Sequence, residues 1–255
     1  MGNLSDHISD ADRRQLEMVA EQAKKPDRMR TLAEMKLRMT QSGARLDDGL
    51  LRLRTTRDAA ELLMWQVVKR VGERAQWPDD YDQVAQWLTD NKGKGLMLIG
   101  DCGRGKSMIT TEILPDLFRQ GFIVDAESGR KMAEPYICTA RELRKCYKEA
   151  LSHRIIIIDD VGTEGIENSF GEKMDWFSEL VLDIDRPYRD SSGRTVRRLL
   201  ICSTNLSKWQ LFGGDRPDEN GRTIHYEGRY PDLRVQDRLR AMTKRIFLYG
   251  ESFRH

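Results

Sequence analysis

The sequence predicts an α/β fold: a five-stranded, mostly parallel sheet with a small helical part ahead of it. Three observations lead there. From Tyr81 onward, short apolar runs alternate with helical stretches, the texture of buried parallel strands joined by helical crossovers. One of those runs opens directly into a glycine-rich turn and a helix start. Ahead of Tyr81 the apolar residues recur at helical spacing instead.

The helical part is read as a domain over residues 1–77. Leu16, Val19, Ala20 and Ala23 lie on one helical face, and Ala59, Leu62, Leu63 and Val67 on another. Pro26 and the Asp47-Asp48-Gly49 group interrupt the pattern, so two or three helices are expected, their Glu/Lys/Arg-rich stretches facing solvent. Residues 76–80, with Trp77 and Pro78, read as a hinge into a second domain over 78–255. Its strand runs are 96–99, 136–138, 155–158, 199–202 and 246–249. Two stretches rich in Gly, Asp, Arg and Pro, 186–197 and 213–232, read as surface loops.

Composition narrows the functional classes. A chain of 255 residues with 39% hydrophobic and 33% charged residues has enough apolar material for a core. A net charge of +2 exerts no global pull toward nucleic acid, so any such contact must come from local basic patches. No apolar run approaches the roughly 20 residues that span a bilayer. The polar, acidic first residues do not read as a secretory leader, so no membrane association and a cytoplasmic location are expected. Cys102, Cys138, Cys146 and Cys202 are scattered without CxxC or paired-His spacing, which reads as reduced thiols and neither a disulfide framework nor a zinc site.

Residues 95–107, GLMLIGDCGRGKS, form a strand, a turn and a helix start that match G-x-x-x-x-G-K-[ST]. Gly100, Cys102, Gly103, Arg104, Gly105, Lys106, Ser107 and Met108 are therefore candidate ATP-binding residues. The glycines let successive amides face an anion at a helix N-terminus, Lys106 would reach the β- and γ-phosphates, and Ser107 would ligate Mg²⁺. Four consecutive isoleucines then lead into Asp159-Asp160. Ligands of open α/β sheets sit at such carboxyl ends, so Asp159 is the candidate second magnesium residue and Asp160 the candidate base for the attacking water. Glu164 is a weaker candidate for that base. The run Leu199-Leu200-Ile201-Cys202 ends in Ser203-Thr204-Asn205, where Asn205 could stand beside the γ-phosphate. Lys106 and Asp159 are 53 residues apart, and Asp159 and Asn205 are 46 apart, room for an intervening βαβ unit each time.

Together the glycine-rich loop, the Ile-Ile-Asp-Asp strand and the Ser-Thr-Asn strand end resemble the AAA+ ATPases, and within them the DnaC/IstB-like group. The run Arg234-Val-Gln-Asp-Arg238-Leu-Arg240 resembles the helix that presents an arginine finger in that family, and Gly250-Glu-Ser-Phe-Arg254 resembles its Gly-x-Ser-Tyr-Arg terminus. The resemblance covers residues 80–255. It implies strand order 5-1-4-3-2, no separate helical lid, an ATP-dependent oligomer, and ATP sites shared between subunits. Asn205 would then be the polar sensor and Arg238 the finger in trans, with Arg234 and Arg240 as competitors for that role. Asp160 stands where many such ATPases carry Glu, which suggests slow turnover.

The same resemblance implies partners. The stretch 140–152 would face single-stranded DNA, with Arg141, Arg144, Lys145 and Lys148 on the backbone and Tyr147 available for stacking. Arg189, Arg194, Arg197 and Arg198 either grip a phosphate backbone or stand solvated. The leading expectation is an ATP-dependent replicative helicase loader that docks its N-terminal helices on a helicase hexamer. The alternative is a transposition ATPase of the IstB kind, working on duplex DNA with a transposase. A small-molecule P-loop kinase is disfavoured, since no acceptor-site signature is present. GTP specificity is disfavoured because no Asn-Lys-x-Asp motif follows the acidic strand.

Overall fold

The computed structural model describes residues 9–24, 34, 46–47, 50–51, 56–72, 75–89, 91–119, 134–165, 167–169, 172–186, 188–189, 193, 195–218 and 220–253. Pro26, Arg194 and Arg254 lie outside them. The chain divides into two compact units, Met1–Gly93 with Ile113–Met132, and Lys94–Glu112 with Ala133–His255.

In the first unit, α1 (Asp10–Lys24) and α2 (Thr56–Val71) pack together, and α2 packs on α3 (Tyr81–Thr89). Leu16, Val19 and Ala20 form the buried stripe of α1. Along α2 every residue from Ala59 to Val68 is buried, so its Glu61 and Gln66 are not on the solvated face expected of them. Arg57 donates to Glu61, and Arg70 donates to Gln66 and to Asp116. A short antiparallel pair, Leu46–Asp47 with Leu50–Leu51, stands where only a helix interruption was expected.

The stretch 76–80 lies within the first unit. Trp77 meets Tyr81 edge-on and donates Nε1–H to the buried Asp82, which also accepts from Arg13. Because α3 packs on α2, the division falls at Gly93 and not at Trp77.

The second unit holds the sheet: β1 (Gly95–Gly100), β2 (Tyr136–Thr139), β3 (Ile155–Asp159), β4 (Leu199–Thr204) and β5 (Thr243–Leu248). Their order is β5-β1-β4-β3-β2, and all four pairings are parallel. The α/β class expected from the sequence and the strand order implied by the resemblance are thus present. Alternate residues of the central strands point to opposite faces. Met97, Ile99, Ile156, Ile158, Leu200 and Cys202 join one core with α5 (Leu143–Leu151), α6 (Trp176–Ile184) and α8 (Leu233–Met242), through Leu143, Phe177, Leu180 and Leu239. The alternate set, Leu96, Leu98, Ile155, Ile157 and Ile201, is buried as well. Strands buried on both faces read as continuous apolar runs, which is why they were visible in the sequence.

After β1 the chain enters a helix that opens with a π-type turn over Met108–Ile113 and continues as α4 (Leu114–Arg119). Thr110 and Thr111 donate their hydroxyls back to the carbonyls of Lys106 and Ser107, the bonding that loosens a helix's first turn.

The two expected loops carry structure. Tyr188–Arg189 pairs with Thr195–Val196, and Gly214–Pro217 with Thr223–Tyr226, each antiparallel, the second following α7 (Lys208–Phe212). Their strands are two to four residues long, and the second pair is almost wholly exposed, so no apolar alternation announces them. Among the described residues no helix follows β5, and none is long and apolar enough to cross a membrane.

Candidate functional site

The sheet order puts β1 beside β4 and β4 beside β3, so their carboxyl ends share one edge. That edge gathers the phosphate-loop motif, the acidic turn and the Ser203-Thr204-Asn205 strand end.

At the loop, Gly100, Gly103 and Gly105 have φ of +145°, +80° and +78°, a backbone that side-chain-bearing residues rarely adopt. A Cβ on Gly100 would stand 2.0 Å from the Leu248 carbonyl oxygen of β5. Lys106 folds its ammonium back on the loop, donating to the Gly100 oxygen at 2.9 Å and the Asp101 oxygen at 2.6 Å. Burial pushes its pKa below the ordinary 10.5, opposed by the charges of Cys102, Asp101, Asp160 and Asp159. Those last two are the carboxylates of the acidic turn, so the lysine lies within electrostatic reach of both acids. Ser107 is half-buried at the start of the helix. Cys102 is exposed, not packed away as a small filler. Arg104 is buried, 7% exposed, and its guanidinium engages the chain after β5.

At the acidic turn, all three residues of the Ser203-Thr204-Asn205 strand end bond to the turn. The Ser203 hydroxyl donates a short hydrogen bond to Asp159 Oδ1 and lies 3.4 Å from the Asp160 amide. The Thr204 hydroxyl donates to the Val161 oxygen at 2.6 Å, and Asn205 Nδ2 donates to Asp160 Oδ1 at 3.2 Å. The parallel register, Cys202 beside Ile158, brings the two strand ends together. Asp160 has φ +54°, the left-handed region, at a cost of roughly 1–2 kcal/mol for a non-glycine residue. Such strain concentrates where geometry serves function. Ser203 and Thr204 were named in the sequence only as part of the polar strand end with Asn205, without roles of their own.

Glu164 does not stand free as a base. Its carboxylate accepts from the Gly162 amide at 2.8 Å and, through a short hydrogen bond, from the buried Tyr230 hydroxyl. Arg229 donates to the Glu164 backbone oxygen at 3.0 Å and pairs closely with Asp175, the N-cap of α6. Burial, and then Glu164, push the Tyr230 pKa up, which keeps that hydroxyl a donor.

Ser107 offers a hydroxyl and Asp159 a carboxylate oxygen, hard donors of the kind Mg²⁺ takes while the rest of its shell comes from phosphates and water. Among the described residues no group of three or more His, Cys, Asp or Glu gathers to hold a metal alone. The donor set fits an ion shared with a nucleotide.

The remaining candidates are dispersed. Arg238 donates to the Leu182 oxygen at 2.9 Å and pairs with Asp185 at 3.1 Å, capping the last turn of α6 within its own chain. Arg234 is paired with Asp232, and the Arg240 side chain is exposed. Arg141, Arg144, Lys145 and Lys148 are all exposed, on α5 and the turn before it. Tyr147 is not available to stack on a base: its ring packs edge-on against Trp176 and its hydroxyl donates to Asp183. Arg198 is likewise engaged, donating to the Leu151 and Arg186 oxygens, while Arg189 and Arg197 are exposed.

Fold and site together define an α/β protein with a parallel five-stranded sheet and a polar site across the ends of its three central strands. No family model matches the chain, and no curated protein matches it significantly.

Proposed function

We propose that the chain binds Mg-ATP at the loop after β1 and hydrolyses it slowly, as a switch that controls a protein and DNA assembly. The observation that carries this reading is the convergence of Lys106, Asp159, Asp160 and Asn205 at one sheet edge. The loop amides and Lys106 would hold the β- and γ-phosphates, replacing the Gly100 and Asp101 carbonyls as partners of the ammonium. Ser107 and Asp159 would hold Mg²⁺, which supplies charge neutralisation at the phosphates. Asp160, steadied by Asn205, would take a proton from water as its oxygen attacks the γ-phosphorus; the bond to the β,γ-bridging oxygen breaks and ADP leaves.

The resemblance to the DnaC/IstB-like group extends the reading to a replicative helicase loader. In it the N-terminal helices grip a helicase hexamer and the exposed bases of α5 grip single-stranded DNA. ATP favours the DNA-bound oligomer, and hydrolysis releases it. Arg238 completes a neighbour's site only after leaving Asp185 and Leu182, which ties turnover to assembly.

ATP turnover of the intact chain, with and without single-stranded DNA, tests the reading beside a pull-down with a hexameric replicative helicase. Lys106→Ala should abolish both binding and turnover. Arg238→Ala should keep binding and lose turnover at concentrations where the wild type assembles. Equal loss of binding in both variants removes the trans finger. Absence of helicase capture, with filaments on duplex DNA, turns the reading toward transposition.

A further inference from the structure

The segment that follows β5 runs back over the phosphate loop and is fastened to it repeatedly. The Asp101 amide donates to the Leu248 oxygen at 3.1 Å, and the Gly250 amide donates to Asp101 Oδ2 at 3.0 Å. Arg104 Nη1 donates to the Glu251 oxygen at 3.1 Å, and its guanidinium lies 4.4 Å from the centre of the Phe253 ring. The Phe253 amide donates to the Gly103 oxygen at 3.1 Å. A Cβ on Gly103 would stand 2.0 Å from the Ser252 hydroxyl, so the segment is seated directly on the loop's bend.

The peptide group explains what this does. Because the unit is planar and trans, fixing the Gly103 carbonyl toward Phe253 fixes the Arg104 N–H in the opposite direction, away from the segment. A loop with glycines at 100, 103 and 105 otherwise has wide backbone freedom, and ordering it costs conformational entropy. Ordering already met in folding is not charged against a ligand when it arrives.

We propose that Arg104 and Phe253 are positioning residues for the phosphate loop, clasping residues 250–253 onto 101–104 so that its amides are set before nucleotide binds. The proposal rests on the reading of this loop as the ATP site. The Arg104 side chain, which the motif alone would place among nucleotide contacts, acts on the nucleotide through the loop; the part of this residue that meets the nucleotide is its amide.

The test is binding of a fluorescent ATP analogue and steady-state turnover by the intact chain, with hydrogen exchange of amides 101–105 in the nucleotide-free protein. Arg104→Ala and Phe253→Ala should each raise Kd and KM about tenfold and leave kcat within about twofold. The double variant should be little worse than either alone, and Phe253→Tyr, which keeps the ring, should behave as wild type. Exchange at 101–105 should quicken about tenfold in the alanine variants. Unchanged exchange overturns the clasp, whatever nucleotide does. So does a lowered Tm with unchanged Kd, which would make the segment packing alone. If the wild type binds no ATP, the nucleotide reading falls, and the exchange result still decides whether the segment orders the loop.

Discussion

The phosphate loop and the acidic turn sit on the same edge of the sheet and are held by different means. The loop is tied mostly through main-chain groups, and of its two buried cations Arg104 reaches the Glu251 oxygen while Lys106 rests on two of the loop's own carbonyls. Those partners can be exchanged for an incoming anion without leaving a side chain unpaired. The turn is tied through side chains, with Ser203, Thr204 and Asn205 on one flank and the Glu164, Tyr230, Arg229 and Asp175 network on the other. Nothing there is arranged to let go. The contrast teaches a division of labour: changes in the loop should register as affinity, and changes in the turn as rate.

Asp160→Asn probes that division with the largest expected effect. Asparagine tolerates the left-handed backbone that Asp160 occupies, so the turn should persist. Removing a general base typically costs about 10²–10⁴ in rate. Turnover should therefore fall at least about 100-fold while ATP-analogue affinity stays within about threefold, read by phosphate release and by equilibrium binding. An equal loss in both measurements would break the contrast, placing Asp160 among the binding groups.

How visible each region was in the sequence follows from the same difference. The loop motif is contiguous, and the strands feeding it are continuous apolar runs, as in residues 155–158, so the strands and the position of Lys106 were legible, while their order came from the resemblance alone. The brace behind the acidic turn was not, because Glu164 and Tyr230 are 66 residues apart and neither belongs to a local pattern. The basic helix shows the intermediate case. Charge and spacing found Arg141, Arg144, Lys145 and Lys148, but not that Tyr147, one position before Lys148, turns inward to Trp176 and Asp183. Arg238 was found by resemblance, and its partner Asp185 lies on another helix, beyond any sequence window.

Tyr230→Phe should have an intermediate effect and sharpens the contrast at the brace. It removes one hydroxyl and leaves a buried Glu164 oxygen without that donor, at a cost of about 1–3 kcal/mol in stability. The Gly162 amide, held by the other oxygen of Glu164, is two residues from Asp160, so the turn should loosen. Turnover should drop about tenfold with affinity unchanged, checked by denaturant unfolding alongside kcat and KM. Glu164→Gln separates the two readings of that carboxylate. As a brace its loss should match Tyr230→Phe and combine with it sub-additively; as a base it should cost far more than the phenylalanine does.

The smallest expected effect is the pH dependence of ATP affinity, and it belongs to the loop. Burial depresses the Lys106 pKa in the empty protein, and bound phosphates would favour the ammonium and raise it again. Affinity is then full below the depressed value and falls as pH rises through it. Folding has the opposite sign: where the folded pKa lies below the unfolded one, the unfolded chain binds more protons between the two, so stability of the nucleotide-free protein rises with pH there. Above the titration of phosphate itself at about 6, the affinity of the wild type should decline as pH rises through the depressed lysine value, while Tm without nucleotide does not fall in step. Lys106→Arg, whose charge persists through this range, should bind with a flat profile whatever its absolute affinity. Parallel slopes in the two proteins would mean that the lysine is not the titrating group, and the loop would then lose its claim to an exchangeable cation.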